Sequence, residues 1–481
     1  MTFERVLLIN PNRMKPAVTP IALDYIGHAL KRMGYGVDFL DLAFSSDISQ
    51  TLSRYFGDNS PAVIGITVRN VDDAYYLSQD FFIPMIRDLV EEIRQQINVP
   101  IVLGGIGFSM MPREILEYVG ADFGIQGEGE VSFPRLVEKI VTGEDCSDVP
   151  GLIYRSANGV ISNPQKSVEL NVLSDCKREF VDNRRYYLEG GMGSIETKRG
   201  CAENCIYCPE PIVKSREYRL REPQHVVDEI QSLLERGIAH FHTCDSEFNL
   251  PPQHAEMICQ EIIRRGLGGK IQWYAYASPT PFSEELMHLM KRAGCAGIDF
   301  GVDSGSDVIL ENLGRRHRKE DVKKLARLCH KYDMTFMYDL LLGGPGEIKD
   351  TLRETIKLMK EVQPSRVGVS MGVRIYPRTP LAVAIREDGV LVDNPNLFGE
   401  IEGNENFFQP IFYISSLVGE DIHSYVSELI GDDDRFFVGS KEDITSNYNY
   451  NDNSFLVDAI RNGERGAFWA ILLNQSPGSS A

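Results

Sequence analysis

Residues 198–211 read KRGCAENCIYCPEP. Cys201, Cys205 and Cys208 stand at C-x3-C-x2-C spacing directly after a stretch with strand character, Ser194–Lys198. Gly200 and Pro209 bracket the segment as a loop. Thiolates are soft ligands that suit iron–sulfur clusters and zinc. Three ligands on a four-iron cluster leave one iron without a protein ligand, open to chelation by a small molecule. A structural zinc loop is one alternative; it needs a fourth ligand, and neither His225 nor Cys244 gives a familiar zinc spacing. Three unrelated core cysteines are another. The polar residues and the proline packed among them weigh against it.

Outward from this loop, strand and helix signals alternate. Ser194–Lys198, Ala239–Cys244, Gln272–Ala277, Gly297–Gly301, Thr335–Leu341 and Arg366–Met371 read as strands. Between them Gln224–Arg236, Gln253–Arg265, Ser283–Arg292, Lys319–Tyr332 and Ile348–Val362 read as helices. Six such repeats over 191–385 predict a partial (β/α)6 barrel, whose chemistry gathers at the C-terminal ends of the strands. Tyr274 and Tyr276 share one face of the third strand.

Toward the N-terminus the alternation returns. Arg5–Asn10, Val37–Leu42, Ala62–Val68, Pro100–Gly104 and Ala121–Gln126 are strand candidates, with Thr19 and Pro20 expected to open a helix that Gly34 closes. Residues 1–145 therefore predict an α/β, Rossmann-like domain. Residues 146–190 lose the rhythm and contain GLIYRSANGVISNP, a hairpin around Asn158-Gly159; this region reads as a connector. Residues 386–481 form a C-terminal region of unassigned role, with an acidic run (Asp432–Asp434), the stretch SNYNYNDN and an end, NQSPGSSA, of disordered composition.

The chain has 481 residues, 43% hydrophobic and 25% charged, with a formal net charge of −19. The acidity argues against a nucleic-acid partner, which demands basic surface. No apolar run has the length of a membrane span, and the N-terminus lacks a signal-peptide layout, so the expectation is a cytoplasmic protein. Nine irregularly spaced cysteines do not suggest a disulfide framework. Lys214, Arg216, Arg219 and Arg221 read as a solvated basic loop, or as compensation for a charged cluster.

C-x3-C-x-aromatic-C, with Tyr207 before the last cysteine, resembles the signature of the radical S-adenosylmethionine (SAM) superfamily. The resemblance implies a [4Fe–4S] cluster on Cys201, Cys205 and Cys208, with SAM chelating the open iron and cleaved reductively. It implies further SAM contacts at Tyr207, at Asp245 or Glu247 (methionine ammonium), Asp303 and Ser304 (ribose), Gly343, Gly344 and Gly346 (adenine) and Arg374 (methionine carboxylate). Asp245-Ser246-Glu247 departs from the family's usual Gly-Gly-Glu, and Asp303 replaces a more typical Glu.

VLLINPN, PIALDYIGHALKRMGYGVDFLDL, VIGITVRN and PIVLGGIGFSMMPREILEYVGADFGIQGEGE resemble the cobalamin-binding subgroup of that superfamily. In it, Gly104, Gly105, Gly107, Gly127 and Gly129 would let the backbone approach cobalamin. The Asp-x-His-x-x-Gly motif that ligates cobalt from below is absent; His28 is the sole histidine of the first 150 residues. Arg69 or Asn70 is placed near that lower face. The resemblance implies a methyltransferase acting on an unactivated carbon or phosphorus centre of a small-molecule, natural-product-like substrate. It also implies an electron donor such as flavodoxin or ferredoxin. A cyclase or rearrangement enzyme with the same cofactors is the alternative, and a cobalamin or redox sensor without turnover is the reading of another class.

Overall fold

The short apolar run RVLLIN forms β1 (Arg5–Asn10), an inner strand of a sheet, buried from Val6 onward in the computed structural model, which describes residues 4–157, 159–419, 421–439 and 453–474. β2 (Gly36–Asp41), β3 (Val63–Thr67), β4 (Ile101–Gly104) and β5 (Phe123–Ile125) complete its parallel part, in the order β2-β1-β3-β4-β5. Each crossover is helical: Ile21–Arg32, Ile48–Asp58, Ile83–Gln96 and Pro112–Val119 connect successive strands, and Gly129–Thr142 follows β5. Helices on both faces explain why β1, β3 and β4 are continuous apolar runs and not alternating ones, while the edge strand β2 (GVDFLD) is only half-buried.

Thr19 does not cap the first helix. Ile21 donates its N–H to the Thr19 carbonyl at 2.9 Å, so the backbone turn does the capping, and the Thr19 hydroxyl is buried without a hydrogen-bond partner. Gly34 closes the helix at φ +89° as expected. His28 lies on the helix surface within 3.3 Å of Asp175.

Of the region expected as a connector, residues 146–183 are part of this first unit. β6 (Leu152–Ser156) and β7 (Gly159–Ser162) pair antiparallel, and β6 adds to the edge of β5. Asn158, at the hairpin's turn, lies outside the described residues. Beyond it, Asp24 of the first helix accepts from Arg178 Nε at 2.7 Å, Phe180 N at 2.9 Å, Val181 N at 2.8 Å and Asn183 Nδ2 at 2.7 Å, all buried or nearly so. A fully buried carboxylate with this many donors is satisfied. It fastens the chain through Asn183, where the unit ends; Ala74–Gln79 belongs instead to the second unit.

In the second unit the helix Asn183–Gly190 leads into β8 (Gly193–Ile195), followed by the short antiparallel pair β9 (Lys198–Arg199) and β10 (Arg219–Leu220) that pinches the base of the cysteine loop. The barrel strands then follow: β11 (His240–Thr243), β12 (Gln272–Ala277), β13 (Cys295–Asp303), β14 (Thr335–Leu342) and β15 (Arg366–Met371). These are the six expected strands, all parallel. A small sheet of β16 (Val373–Arg374), β17 (Leu397–Gly399) and β18 (Ile411–Tyr413) intervenes before β19 (Phe436–Val438). β19 pairs in parallel with β15 and makes a seventh barrel strand, order β19-β15-β14-β13-β12-β11-β8.

The C-terminal region therefore completes the barrel. The helix Phe468–Asn474 puts Trp469 edge-on to Tyr274, with ring centroids 6.0 Å apart. A Cβ on Gly297 would stand 2.7 Å from the Trp469 ring, which is why a glycine sits at that point of the inner wall. The Asn453 side chain caps the preceding helix, Ser454–Arg461. The rest of SNYNYNDN, and NQSPGSSA beyond Asn474, lie outside the described residues. Among the described residues no helix is long and apolar enough to cross a membrane.

Alternation sorts the barrel side chains. Phe241, Trp273, Ile298, Phe300, Phe336 and Val367 are buried in the core beneath the helices. The opposite parity, which faces inward, carries His242, Tyr276, Asp299 and Asp339.

Candidate active site

The cysteine loop is held at several points by backbone. Gly200 has φ +92°, and a Cβ there would lie 2.0 Å from the Glu217 carbonyl, so this position requires glycine. Cys201 N–H donates to Ser215 O at 3.1 Å and Ile206 N–H to Leu313 O at 3.1 Å. Leu381 N–H donates to Ile206 O at 3.0 Å, and the Ile206 and Tyr207 side chains pack on the apolar cluster around Val373, Phe407 and Ile411.

Burial pushes all three thiols up, Cys201 to about 11. Buried thiols of this kind would become ligands when bound iron displaces their protons to solvent. The Arg315 guanidinium opposes the rise at Cys205. Its Nη1 donates to Cys205 Sγ at 2.9 Å.

Asp245 and Glu247 separate clearly. Asp245 is buried and accepts from Thr197 N at 2.8 Å, Thr197 Oγ1 at 2.6 Å and Lys198 N at 3.2 Å, tying the end of β11 to the segment after β8. Glu247 makes no such backbone bonds; burial raises its carboxyl to about 7, with Arg315 and Lys198 opposing. Lys198, itself buried, donates to the Glu247 carbonyl at 2.7 Å.

Asp303 closes β13 at φ +62°, where the register with β14 slips by a residue. A bulge of this kind re-aims a side chain. Asp303 Oδ2 accepts from the Tyr207 hydroxyl at 2.6 Å and lies 3.4 Å from Arg315 Nε. Ser304 turns away: its hydroxyl lies 3.1 Å from Thr355 Oγ1 and accepts from Ser306 N at 3.1 Å.

Gly343 (φ +90°) and Gly344 follow β14. Cβ atoms there would stand 3.0 Å from Ile422 and 3.0 Å from Leu313, so packing within the barrel accounts for both glycines. Gly346 (φ +80°) abuts Asn312 in the same way. Arg374 is buried, donates to the Ile375 carbonyl and lies 4.8 Å over the Tyr376 ring, so it is not a solvent-facing side chain.

The basic loop is not a solvated patch. Lys214 pairs with Glu210 at 2.7 Å, and Arg221 with Glu229 at 2.8 Å in the interior. Arg216 donates to the Glu203 carbonyl at 3.1 Å and Arg219 to the Lys214 carbonyl at 3.0 Å. These residues brace the loop. The cation that meets a cysteine is Arg315, absent from the sequence reading because no local motif links it to the loop.

Of the inner wall, the sequence pointed only to Tyr274 and Tyr276. Tyr276 lies opposite Asp299 across β12 and β13, and Asp339 lies opposite Gly301 on β14. Burial and the neighbouring Asp339 push Asp299 well above the usual carboxylate range, so the pair retains a proton. Asp299 Oδ1 has no hydrogen-bond partner. His242 Nδ1 lies 2.7 Å from the Thr243 carbonyl and carries the hydrogen; burial keeps the ring neutral and Nε2 an acceptor. The ring lies 4.6 Å from that of Tyr276, which is 39% exposed.

In the first unit, loops after β1, β3, β4 and β5 form a cradle at the C-terminal edge. Gly105 (φ +100°) would place a Cβ 2.6 Å from the Val68 carbonyl, and Gly107 2.9 Å from that of Arg69. A Cβ on Gly104 would reach only ordinary contact, 4.0 Å from the Ile125 carbonyl. Gly127 (φ +84°) donates its N–H to Ser109 Oγ at 2.9 Å, and Ser109 donates to the Gly105 carbonyl at 2.8 Å. A Cβ on Gly129 would stand 3.0 Å from Ile26. Two buried polar atoms on these loops, Thr19 Oγ1 and Arg69 Nη1, have no partner, as a cradle for a polar ligand requires.

A model of the radical SAM superfamily matches residues 195–359, and a model of the B12 binding domain matches 12–137. Tryptophan 2-C-methyltransferase of Streptomyces laurentii is 31% identical over 572 residues, which spans 97% of this chain and 95% of that protein. The solved structure of the radical SAM methyltransferase TsrM from Kitasatospora setae, with tryptophan substrate and the analogue aza-SAM bound, matches at TM-score 0.91. It is 32% identical and covers 98% of this chain and 97% of that one. The same enzyme with cobalamin and a [4Fe-4S] cluster bound matches at 0.88, 30% identical, over 98% of each chain. Cytidylyl-2-hydroxyethylphosphonate methyltransferase of Streptomyces wedmorensis is 23% identical over 65% of this chain and 67% of that protein.

Proposed function

Because the chain belongs to the cobalamin-dependent radical SAM methyltransferases, we propose that its substrate is a small aromatic amino acid of the tryptophan type, methylated on a ring carbon. The cluster, SAM and cobalamin, when bound, supply the methyl group and the electron chemistry of the transfer. The protein's part is to hold, orient and select. Cys201, Cys205 and Cys208 hold the iron. Glu247 takes the methionine ammonium, since the oxygens of Asp245 are already used by Thr197 and Lys198. Tyr207 and Asp303 form one bonded pair beside it, and Arg374 serves the carboxylate end. Gly104, Gly105, Gly107, Gly127 and Gly129 would line the corrinoid cradle, with Arg69 offering it an unpartnered guanidinium nitrogen. A flavodoxin- or ferredoxin-type donor in the cytoplasm supplies the electron.

The inner barrel wall is the observation that carries the choice of substrate. It offers an aromatic ring at Tyr276, a neutral acceptor at His242 Nε2 and an unpartnered carboxyl oxygen at Asp299. Acceptors flanking a ring suit a planar substrate that carries N–H groups. Two neighbouring carboxyl groups, Asp299 and Asp339, suit N–H donors better than a phosphonate, the substrate type of the more distant relative.

Anaerobically reconstituted protein, given L-tryptophan and SAM with a deuterated methyl group, is expected to yield tryptophan heavier by that methyl. Asp299→Asn is expected to raise the KM for tryptophan about tenfold, the loss of roughly one hydrogen bond at the buried carboxyl. Iron and cobalamin content should be unchanged. Labelled product from a phosphonate but none from tryptophan would overturn the reading.

A further inference from the structure

Arg315 reaches a cysteine sulfur from 110 residues away, and the route by which it does so is built into the backbone. The turn after the helix Asp307–Asn312 interlocks with the cysteine loop. Gly314 sits at φ +75°, and a Cβ there would be 2.3 Å from the Asn204 carbonyl. Ile206 N–H donates to the Leu313 carbonyl at 3.1 Å. The residues on either side of Cys205 are thus docked on the residues just before Arg315. A side chain leaving this turn has a fixed relation to that sulfur.

The guanidinium is fixed independently at its other nitrogens. Nη2 donates to the Gly301 carbonyl, and Nε lies 3.4 Å from Asp303 Oδ2, which the Tyr207 hydroxyl also holds. Gly301 admits this approach, since a Cβ would meet Nη2 at 3.3 Å. Nη1 is left for Cys205 Sγ, at 2.9 Å. Arg315 is 8% exposed, so water screens this charge poorly. The partner charges are Asp303 and, at 4.0 Å, Glu247.

We propose that Arg315 is a positioning and tuning residue, a buried cation bonded to the sulfur of Cys205 that raises the reduction potential of the iron–sulfur cluster those cysteines hold. One-electron reduction adds a negative charge to the cluster and its thiolates. An N–H donor with full positive charge on one of those sulfurs stabilises the reduced form more than the oxidised form. The electron comes from an external low-potential one-electron donor, and no bond to the protein is made or broken. Arg316 provides the internal control: it pairs with Glu203 of the same loop at 2.8 Å, is half exposed, and has no bond to a sulfur.

The test is a redox titration of reconstituted holoenzyme, followed by electron paramagnetic resonance, with iron counted per chain. Arg315→Gln is expected to keep its iron and to disfavour reduction at least tenfold, a midpoint about 59 mV more negative for a one-electron couple. Arg315→Lys keeps charge without the fork and is expected to fall between. Arg316→Gln is expected to leave the midpoint and the signal unchanged. A fully loaded Arg315→Gln protein with the wild-type midpoint overturns the proposal, as does an equal shift in Arg316→Gln. Should Arg315→Gln fail to hold iron, Arg315→Lys decides: a midpoint at or above wild type overturns it, and an intermediate one supports it.

Discussion

At the C-terminal edge of β3 and β4 in the first unit, the polypeptide presents mostly main chain. Gly105 and Gly107 press against the Val68 and Arg69 carbonyls, and Ser109 ties two loops together. At the corresponding edge of β8, β11 and β13 in the second unit it presents charge: Lys198, Asp245, Glu247, Asp303 and Arg315 are all buried or nearly so. The contrast follows from what each edge must hold. A large preformed ligand is met by shape, which requires the absence of Cβ atoms. An iron–sulfur cluster and a zwitterionic amino acid are met by placed charges. A backbone-built site should therefore fail when atoms are added, and a charge-built site when charges are removed.

The largest effect is expected at the thiols. Cys205→Ala removes one of three ligands from a loop whose backbone is otherwise self-supporting, through Cys201–Ser215, Ile206–Leu313 and Leu381–Ile206 bonds. Iron content and methyl transfer should be abolished, while the absorbance of bound cobalamin is retained. Loss of both cofactors together would break the comparison, because the charge-built site would then be supporting the other.

Gly105→Ala is the counterpart in the first unit. It adds one carbon 2.6 Å from a carbonyl oxygen at φ +100°. Backbone strain and overpacking together cost roughly 2–5 kcal/mol. Cobalamin binding, followed by its visible spectrum, should weaken more than tenfold with iron per chain unchanged. Tight cobalamin binding in this variant would show that the cradle is softer than its contacts imply.

The two sites also differed in how far the sequence exposed them. The cysteine loop and the glycines of GGIG and GEG are local patterns, and local patterns carry their own chemistry. The strands were legible for the same reason: burial on both faces leaves an uninterrupted apolar run, as in VLLI and AVIGITV. What escaped depends on pairing between distant segments. Arg315 matters because Gly314 docks on Asn204, and Asp299 because Asp339 lies on the next strand. β19 is three residues long after an acidic run, too short to register as periodicity, and Asp24 looks like one more polar helical residue until Arg178 closes on it. Asp245 and Glu247 were indistinguishable as letters; hydrogen bonds from Thr197 and Lys198 separate them.

Glu347 sharpens the contrast at a smaller scale. It follows the Gly343–Gly346 turn, is fully buried, accepts from the Thr351 hydroxyl through Oε1 and leaves Oε2 without a partner. Burial raises its carboxyl from 4.5 to about 7. The folded state thus keeps a proton that the unfolded chain releases above about pH 4.5. Its contribution to stability is greatest below that pH, declines as the pH rises toward 7, and is flat beyond. The full swing is at most about 3 kcal/mol. Glu347→Gln should remove this part of the pH dependence, seen as a Tm difference from wild type that grows between pH 5 and 7. A constant difference across that range would show that Glu347 is ionised throughout.

The smallest effect expected is at Thr19, and it probes whether the backbone-built cradle uses this hydroxyl. The hydroxyl is buried without a partner in a loop at the ligand edge, while the Thr19 carbonyl already serves the helix by accepting from Ile21. An unsatisfied buried hydroxyl costs about 1–2 kcal/mol. Valine keeps the shape and removes the cost. Thr19→Val should therefore raise the Tm of cobalamin-free protein and lower cobalamin affinity severalfold, because the group that would have satisfied the hydroxyl arrives with the ligand. The two shifts have opposite sign, and neither a packing defect nor a general stabilisation produces both. Equal gains in the free and the loaded protein would mean that the Thr19 hydroxyl takes no part in recognising the ligand.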